Sequence, residues 1–250
     1  LLANGERNPF ADPRVRRAIA LTIDKKALVE RVTRLNERTS GSFVPDGSIP
    51  GYEPPTGLPF DPERGRAELD AAGWKLGDDG IRRNADGDPF PTLEILFSTG
   101  SPRYKDLSLA LRDMWRRELR IPCEIGGRPG NEYRAQLENG NFMVARGGWY
   151  GDYGDPTTFL DLNRTDDGNN HRGYSNPIYD DLLEQAATEP DPDRRMRLLE
   201  AAEKILVEED LPILPICTYV TLYMYEPGRL TGLTKHPRLD QNPARWAIRP

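Results

Sequence analysis

The alternation of strand-like and helical segments between residues 93 and 146 constrains the fold more than any other feature. The sequences LEILF, IPCEI and FMVAR are short, apolar and predicted to be strands. Between them, one helix is predicted from Tyr104 to Leu119, and a shorter one over NEYRAQLENG, ending at Gly140. Since parallel strands need a long crossover that is usually helical, this order predicts an α/β fold with a mixed, partly parallel sheet flanked by helices.

Four further helices are predicted outside this unit. Those at Asp12-Pro13 and Asp61-Pro62 begin with a capping aspartate and a first-turn proline, and the former is predicted to run unbroken to residue 27. Two more follow, over NPIYDDLLEQAATE and DPDRRMRLLEAAEKILVEED. The predicted buried stripes are Val15, Ile19, Ile23 and Ala27 in the first helix, Ile178, Leu182 and Ala186 in the third, and Leu198, Ala202 and Ile205 in the fourth.

The connecting segments have their own signatures. The Gly- and Pro-rich stretch SGSFVPDGSIPGYEPPTGLP predicts an irregular excursion, and GDDG and NADGDP predict hairpin turns. The segment LPILPICTYVTLYMYEP is predicted to be extended, with Tyr219, Tyr223 and Tyr225 on one face.

Composition excludes some classes of function. A net charge of -6, a pI near 5.2 and the lack of a long Lys/Arg run argue against nucleic-acid binding. No apolar run approaches the roughly 18 residues that would span a bilayer. The first residues, LLANGERNPF, lack the basic-then-apolar plan of a signal peptide, and we expect the chain to be cut from something longer.

The two cysteines, Cys123 and Cys217, lie in apolar segments without a CxxC or Cys/His cluster. This pattern gives no zinc site. Two buried free thiols and a single disulfide both remain possible.

The sequence offers few candidate catalytic residues. The only histidines are His171 and His236, and no phosphate-binding glycine loop occurs. Asp152 and Asp155 offer a carboxylate pair of the kind glycoside hydrolysis needs, so a carbohydrate-active enzyme stays an alternative. The acidic run DLNRTDDGNNH fails as a calcium loop, since its sixth position holds Asp166 where an EF-hand needs glycine. We expect no cofactor and no metal.

The stretch FMVARGGWYGDYGDPTTFL places aromatic and acidic side chains on a glycine-rich scaffold. It is either a wide turn or a place where a ligand meets backbone, ring and carboxylate together. The residues alone leave both interpretations open.

Several segments together resemble the solute-binding proteins of peptide-type ABC importers. They are NPFADPRVRRAIALTIDKKALVERV, FDPERGRAELDAAGW, ARGGWYGDYGDPTTFLDLN, GYSNPIYDDLLEQA and RLLEAAEKILVEEDLPILPI, in that family's order. The resemblance covers residues 8 to about 216. It implies a periplasmic-binding-protein type II-like lobe, half of a bilobal protein. Residues 1–222 would form the carboxy-terminal ligand-binding lobe, and residues 223–250 a tail returning to the amino-terminal lobe.

The resemblance also implies site residues, through the pattern Arg-x-x-Trp-x-x-Asp. Asp152 would pair with the α-ammonium group of a peptide, Arg146 would meet a peptide carboxylate, and Trp149 would wall a side-chain pocket. Tyr150 is a weaker candidate. Against this, Asp152 could cap a turn, Arg146 could pair with an acid such as Asp155, and Trp149 could belong to the core.

The implied function is extracytoplasmic peptide capture and delivery to an ABC permease, without catalysis. The same fold serves nickel, haem, sugar and opine binding, so other solutes remain alternatives, as does a sensory or scaffold module that binds a partner protein. Leu137 stands where some oligopeptide binders carry a second arginine, which leaves the peptide length open. Exposed apolar surface predicts some self-association of the isolated lobe.

Overall fold

The computed structural model describes residues 8–226, 228–234 and 242–248. Predictions about the amino-terminal segment 1–7, about His236 and about parts of the 223–250 tail therefore lie outside the described residues. The α-helices are α1 (Pro13–Leu21), α2 (Lys25–Ala27), α3 (Pro62–Ala71), α4 (Pro102–Leu119), α5 (Gly130–Glu138), α6 (Thr157–Leu160), α7 (Pro177–Thr188) and α8 (Pro192–Lys204). The strands are β1 (Arg38–Thr39), β2 (Lys75–Leu76), β3 (Arg82–Arg83), β4 (Leu93–Ser98), β5 (Cys123–Arg128), β6 (Val144–Ala145), β7 (Cys217–Thr218), β8 (Leu230–Thr231) and β9 (Ala247–Ile248).

The main sheet has the order β5-β4-β6, with all three strands parallel. Helix α4 connects β4 to β5 and α5 connects β5 to β6, so the predicted alternation and its parallel pairing are confirmed. The other described sheets are antiparallel pairs, β1 with β7, β2 with β3 and β8 with β9. The predicted mixed α/β fold class is thus confirmed.

Two clusters of buried apolar side chains hold these elements together. The first cluster joins α1, α3, α4 and β4 through Val15, Ile19, Leu69, Leu93, Leu111 and Trp115. The second cluster joins α6, α7 and α8 through Phe159, Leu160, Tyr179, Leu183, Leu199 and Ala202.

The predicted unbroken first helix is wrong. Helix α1 ends at Leu21, where the Thr22 hydroxyl donates to the carbonyl oxygens of Ala18 and Ile19, and Asp24 caps α2 with an Oδ1 to Ala27 N distance of 2.8 Å. A π-helical turn over Leu28–Thr33 follows. Threonine and aspartate bind backbone groups locally and so compete with a continuous helix.

The predicted buried stripes of the two later helices are confirmed in part: Ala186, Ala202 and Ile205 are buried, but the other predicted positions are shifted. On α7, Ile178 is 65% exposed whereas Tyr179 and Leu183 are buried. On α8 the fully buried leucine is Leu199 rather than the predicted Leu198. The polar end of Tyr179 explains part of this shift, because its hydroxyl donates to the Leu160 carbonyl at 2.6 Å inside the second cluster.

A buried carboxylate organises the predicted irregular excursion. Glu203 of α8 has no exposed surface, and it accepts hydrogen bonds from Phe43 N, Val44 N and the Tyr52 hydroxyl. Burial raises the pKa of Glu203 to about 7, although these hydrogen bonds act to lower it. Two further carboxylates act in the same way, since Glu53 N donates to Glu200 and Gly57 N donates to Glu208. The excursion is therefore ordered by acidic side chains that lie far from it in the chain.

The two predicted hairpin turns are present, at Gly77–Ile81 and Asn84–Asp88. Beside them, Arg82 is only 1% exposed. Its guanidinium donates to the carbonyl oxygens of Leu119 and Trp74 and to Asp70 Oδ1, each at 2.6 Å. These bonds satisfy the carbonyl of the last residue of α4 and a carbonyl three residues beyond the end of α3.

The segment after residue 211, predicted to be extended, is paired as a strand over only a small part of its length. Only β7 pairs, antiparallel to β1, and residues 219–226 have no regular secondary structure. Within the part of the chain that the structure describes, no strand lies beside these residues to accept their backbone hydrogen bonds. Leu222, Tyr223, Met224 and Tyr225 are consequently exposed. No described helix combines the length and apolar character needed to cross a bilayer.

Candidate functional site

A large open cavity lies between the two clusters. Its volume is about 2020 Å³, and its walls include Ile19, Ile95 and Trp115 from the first cluster and Phe159 from the second. The polar rim comes from the glycine-rich stretch 146–154 and from residues 169–175. The cavity is therefore mostly apolar with a few polar groups, as ligand sites usually are.

Arg146 stands at the carboxyl edge of the parallel sheet, directly after β6. Its backbone N–H donates to the Leu96 carbonyl of β4 at 2.8 Å. The segments that follow β4 and β5 emerge at the same edge and contribute Tyr104 and Tyr133. Ligands of open α/β sheets bind outside the carboxyl ends of the strands, so the topology predicts a ligand site at this edge.

Aromatic residues surround Arg146. Its guanidinium carbon lies 3.7 Å from the Tyr104 ring centroid and 5.5 Å from that of Tyr219, and its Nη2 donates to the Tyr219 hydroxyl. The Tyr133 hydroxyl donates to the Arg146 carbonyl. Within the described ranges no carboxylate pairs with Arg146, and its buried Nε has no hydrogen-bond partner. The alternative pairing of Arg146 with Asp155 does not occur.

Trp149 and Tyr150 also line the cavity. Trp149 is half-buried against the second cluster, yet its buried Nε1 has no hydrogen-bond partner. Tyr150 is 64% exposed, and its ring centroid lies 6.4 Å from that of Tyr219. Trp149 thus packs against the second cluster and keeps an Nε1–H donor without a partner. Tyr150 presents a largely exposed ring.

Asp152 lies apart from the other three candidates. Its backbone N–H donates to the Thr158 hydroxyl at 2.9 Å, but the side chain is exposed and does not line the cavity. Among the residues that the structure describes, its carboxylate has no ion pair or hydrogen bond. The geometry brings Arg146, Trp149 and Tyr150 together and leaves Asp152 near the rim.

Asp155 is bound within the protein. Arg195 of α8 contacts both of its oxygens, at 2.7 and 3.0 Å, and Thr157 donates to Oδ1. Burial acts to raise the pKa of Asp155, but these hydrogen bonds outweigh it and the pKa falls below its usual value. A general acid needs a raised pKa, so Asp155 does not suit the acid role of a glycosidase pair, and Arg195 occupies both of its oxygens.

Other polar residues of this region hold the loops. Asn170 bonds the backbones of Arg164 and Tyr174, and the Tyr174 hydroxyl donates to Asp210 at 2.8 Å. Glycine at position 151 has a packing reason, because a Cβ there would lie 3.1 Å from the Phe159 ring.

Sequence reasoning missed the aromatic surroundings of Arg146. Tyr104 was predicted only as the start of a helix, and Tyr219 only as one face of a strand. A second arginine, Arg103, lies 4.4 Å from the Tyr219 centroid and forms an ion pair with the buried Glu37. One available signal was the position of Tyr104, just after a predicted parallel strand.

The two cysteines are free thiols, with Cys123 buried and Cys217 half-buried, so the disulfide alternative is wrong. Across residues 8–226, 228–234 and 242–248, no three His, Cys, Asp or Glu side chains lie close enough together to hold a metal ion.

Comparisons with known proteins agree with this fold. The sequence profile of bacterial extracellular solute-binding proteins, family 5 (middle region), matches residues 1–171. The periplasmic murein peptide-binding protein MppA of Escherichia coli is 34% identical over 228 residues, 91% of this chain and 40% of that protein. The oligopeptide-binding protein OppA of Bacillus subtilis is 28% identical over 224 residues, 89% of this chain and 40% of that protein.

A solved structure of the Escherichia coli murein tripeptide binding protein MppA matches with a TM-score of 0.80 at 30% identity. The match covers 98% of this chain and 47% of that one. The chain spans about 40% of the length of the curated relatives it matches. From the profile match and the shared fold, we conclude that this chain belongs to the bacterial extracellular solute-binding proteins of family 5.

Proposed function

We propose that the protein containing this chain captures a peptide outside the cytoplasm for an ABC import system. The observation that carries the proposal is the Arg146 guanidinium, which lines the cavity without a carboxylate partner among the described residues. A half-buried cation of this kind is stabilised most by a ligand that carries the opposite charge. A peptide carboxylate is the matching group.

The shape of the site favours a peptide over a compact solute. A volume of about 2020 Å³ exceeds the roughly 300–1,000 Å³ of usual small-molecule pockets. The cavity also borders glycine backbone at Gly147 and Gly148, where main-chain groups are open to an extended chain. The relatives named for oligopeptides and murein peptides support the same class of ligand.

The remaining candidates take distinct roles in this proposal. Trp149 walls a side-chain pocket and offers its Nε1 as a donor, and Tyr150 supplies a ring at the rim. Asp152 pairs with the α-ammonium group. Because an exposed ion pair contributes only about 0–1 kcal/mol, Asp152 gains selectivity when a second lobe closes over the ligand and excludes water.

We further propose that the protein binds without covalent chemistry, in the periplasm or on the outer face of the cell membrane, and passes its ligand to a permease. The permease would recognise the closed form, in which two lobes enclose the ligand. The ligand favours this form because it binds the closed state more tightly than the open state.

The test is calorimetric titration of the full-length protein with di- to pentapeptides, including a murein tripeptide, each in free, N-acetylated and C-amidated form. Tight binding of free peptides and weaker binding of both blocked forms is the expected result. Asp152→Asn should then abolish the preference for a free amino group, with Asp106→Asn, an exposed acid on α4, as the matched control.

Equal binding of acetylated and free peptides would remove Asp152 from the ammonium role. The proposal would be wrong if no peptide bound, and the search would then move to the other solutes carried by this fold, including nickel, haem, sugars and opines.

A further inference from the structure

A second arginine of the cavity, Arg172, lacks both a carboxylate partner and a full set of hydrogen bonds within the described ranges. Among the residues that the structure describes, three arginines line the cavity, Arg16, Arg146 and Arg172. Arg16 is satisfied within the protein, because its guanidinium donates to the carbonyl oxygens of Phe10 and Asp210. Arg172 donates once, from Nη2 to the Leu162 carbonyl at 2.9 Å. Within the described part of the chain, no carboxylate lies within ion-pair distance of it.

The environment of Arg172 makes this arrangement costly. Its Nε is buried without a hydrogen-bond partner. A buried donor without a partner has lost its hydrogen bonds to water and gained none in return, and this cost is larger for a charged group. Burial also lowers the pKa of Arg172, while the more distant Tyr179 and Asp167 act to raise it. Since arginine remains protonated in proteins, the charge persists and an arriving anion would relieve the cost.

Arg172 belongs to a different part of the wall from Arg146. Arg146 follows β6 at the edge of the sheet, whereas Arg172 lies in the loop between the Asp161–Asn163 turn and α7. Its anchor, Leu162, is 9% exposed and belongs to that turn. Two cations contributed by separate segments can contact two separate anionic groups of one extended ligand.

We propose that Arg172 forms a second anion subsite in this cavity and binds the carboxylate of an acidic side chain, so that the preferred ligands are peptides carrying Glu or Asp at one position. This inference rests on the proposed peptide-binding function and specifies its substrate class. A guanidinium suits this role because its fixed, planar donors match the two oxygens of a carboxylate.

The experiment uses the full-length protein and tri- to pentapeptides in pairs that differ only by Glu or Gln at a single position. Calorimetry gives the ratio of the two dissociation constants at each position. For the unmodified protein we expect the Glu peptide to bind about tenfold more tightly at one position, as a charge-assisted bidentate contact would give. Arg172→Gln should bring that ratio close to one, chiefly by weakening binding of the Glu peptide.

Two further variants separate the subsite from a structural role. Arg172→Lys retains the charge and should keep part of the preference. Arg164→Gln is the matched control, because Arg164 lies in the same loop region, pairs with Asp161 at 2.7 Å and does not line the cavity. It should leave the ratio unaltered.

The outcomes distinguish this inference from the function on which it rests. Binding of neutral peptides with no preference for Glu at any position would overturn the Arg172 subsite and leave peptide capture intact. An equal loss for both members of a pair in Arg172→Gln would assign Arg172 to loop structure and also overturn the subsite. If no peptide binds to the unmodified protein, both proposals fail. A Glu/Gln ratio near one at every position in the unmodified protein overturns the subsite even if Arg172→Gln does not fold.

Discussion

The guanidinium carbon of Arg146 lies 3.7 Å from the centroid of the Tyr104 ring, so this cation is stacked rather than ion-paired. Stacking uses the flat face of the guanidinium and leaves its N–H edges available for acceptors. The sheet edge therefore holds a positive charge that a ring stabilises and a ligand can still reach. Such a cation–π contact stabilises the guanidinium by about 0.5–2 kcal/mol, which is less than a hydrogen-bonded carboxylate pair contributes.

Replacing Arg146 should weaken binding of one chemical form of the ligand only. In Arg146→Gln we expect peptides with a free carboxylate to bind about tenfold more weakly, whereas C-amidated peptides should be little affected. Calorimetry on both forms measures this. Arg134→Gln, an exposed arginine on α5 outside the cavity lining, is the matched control. Equal losses for free and amidated peptides would show that Arg146 supports the wall and does not read the carboxylate.

Tyr219 should act on the ligand through Arg146. Tyr219→Phe keeps the ring but removes the hydroxyl that accepts from Arg146 Nη2. Loss of one such hydrogen bond predicts a roughly threefold to tenfold smaller preference for free over amidated peptides. Tyr219→Leu should reduce the preference further, since the ring face is lost as well. An unchanged preference in Tyr219→Phe would contradict this positioning role.

The backbone plan of this site was predictable from the sequence, but its contacts were not. The order of strands and helices between Leu93 and Arg146 follows from local periodicity, and that order fixes which segment ends meet at the sheet edge. The stacking of Tyr104 and Tyr219 on Arg146 depends on two segments that lie far apart in the chain. No local pattern in a single sequence records which tyrosine reaches which arginine.

Glu203 should make stability depend on pH. Because its pKa is raised to about 7 by burial, from an ordinary 4.5, the folded state favours the neutral acid. The resulting stabilisation is fully present below pH 4.5 and is lost as the pH rises through about 7. We expect this contribution to the free energy of unfolding to be on the order of 3 kcal/mol at most.

Denaturant unfolding at several pH values between 4.5 and 7 tests the role of Glu203. Glu203→Gln stays neutral, so the stability of the unmodified chain relative to this variant should fall as the pH rises. Glu184→Gln, an exposed residue on α7, provides the control and should follow the unmodified chain. A constant difference between Glu203→Gln and the unmodified chain across this range would refute the assignment.

The thiols should be free and unequal in reactivity. Burial raises the pKa of Cys123 to about 12 and also raises that of Cys217, which is only half-buried. Since the thiolate is the reactive form, Cys123 should not react with a thiol reagent in the folded protein, and Cys217 should react slowly. After unfolding without reductant, both should titrate. A deficit of thiols under those conditions would indicate a disulfide, and Cys217→Ser identifies which thiol reacts first.

Buried charge is the feature of this chain that its sequence indicates least. Arg82 and Glu203 both lie in strongly charged stretches, which predict solvent-facing positions, and both are almost completely buried. Arg82 is buried because it completes carbonyl groups at two helix ends, and Glu203 because it binds the backbone of the irregular excursion. In each case backbone groups outside the residue's own element are among the partners, and the residue type gives no indication of them.

The position of the cavity between the two clusters has a consequence for cooperativity. Where little apolar contact joins two packed units, each can open on its own at a lower free energy than the whole chain. Amide hydrogen exchange should then separate the slow amides of β4 and α4 from those of α7 and α8. A ligand that contacts both walls would raise the free energy of opening either unit, so exchange in the two groups of amides should slow together.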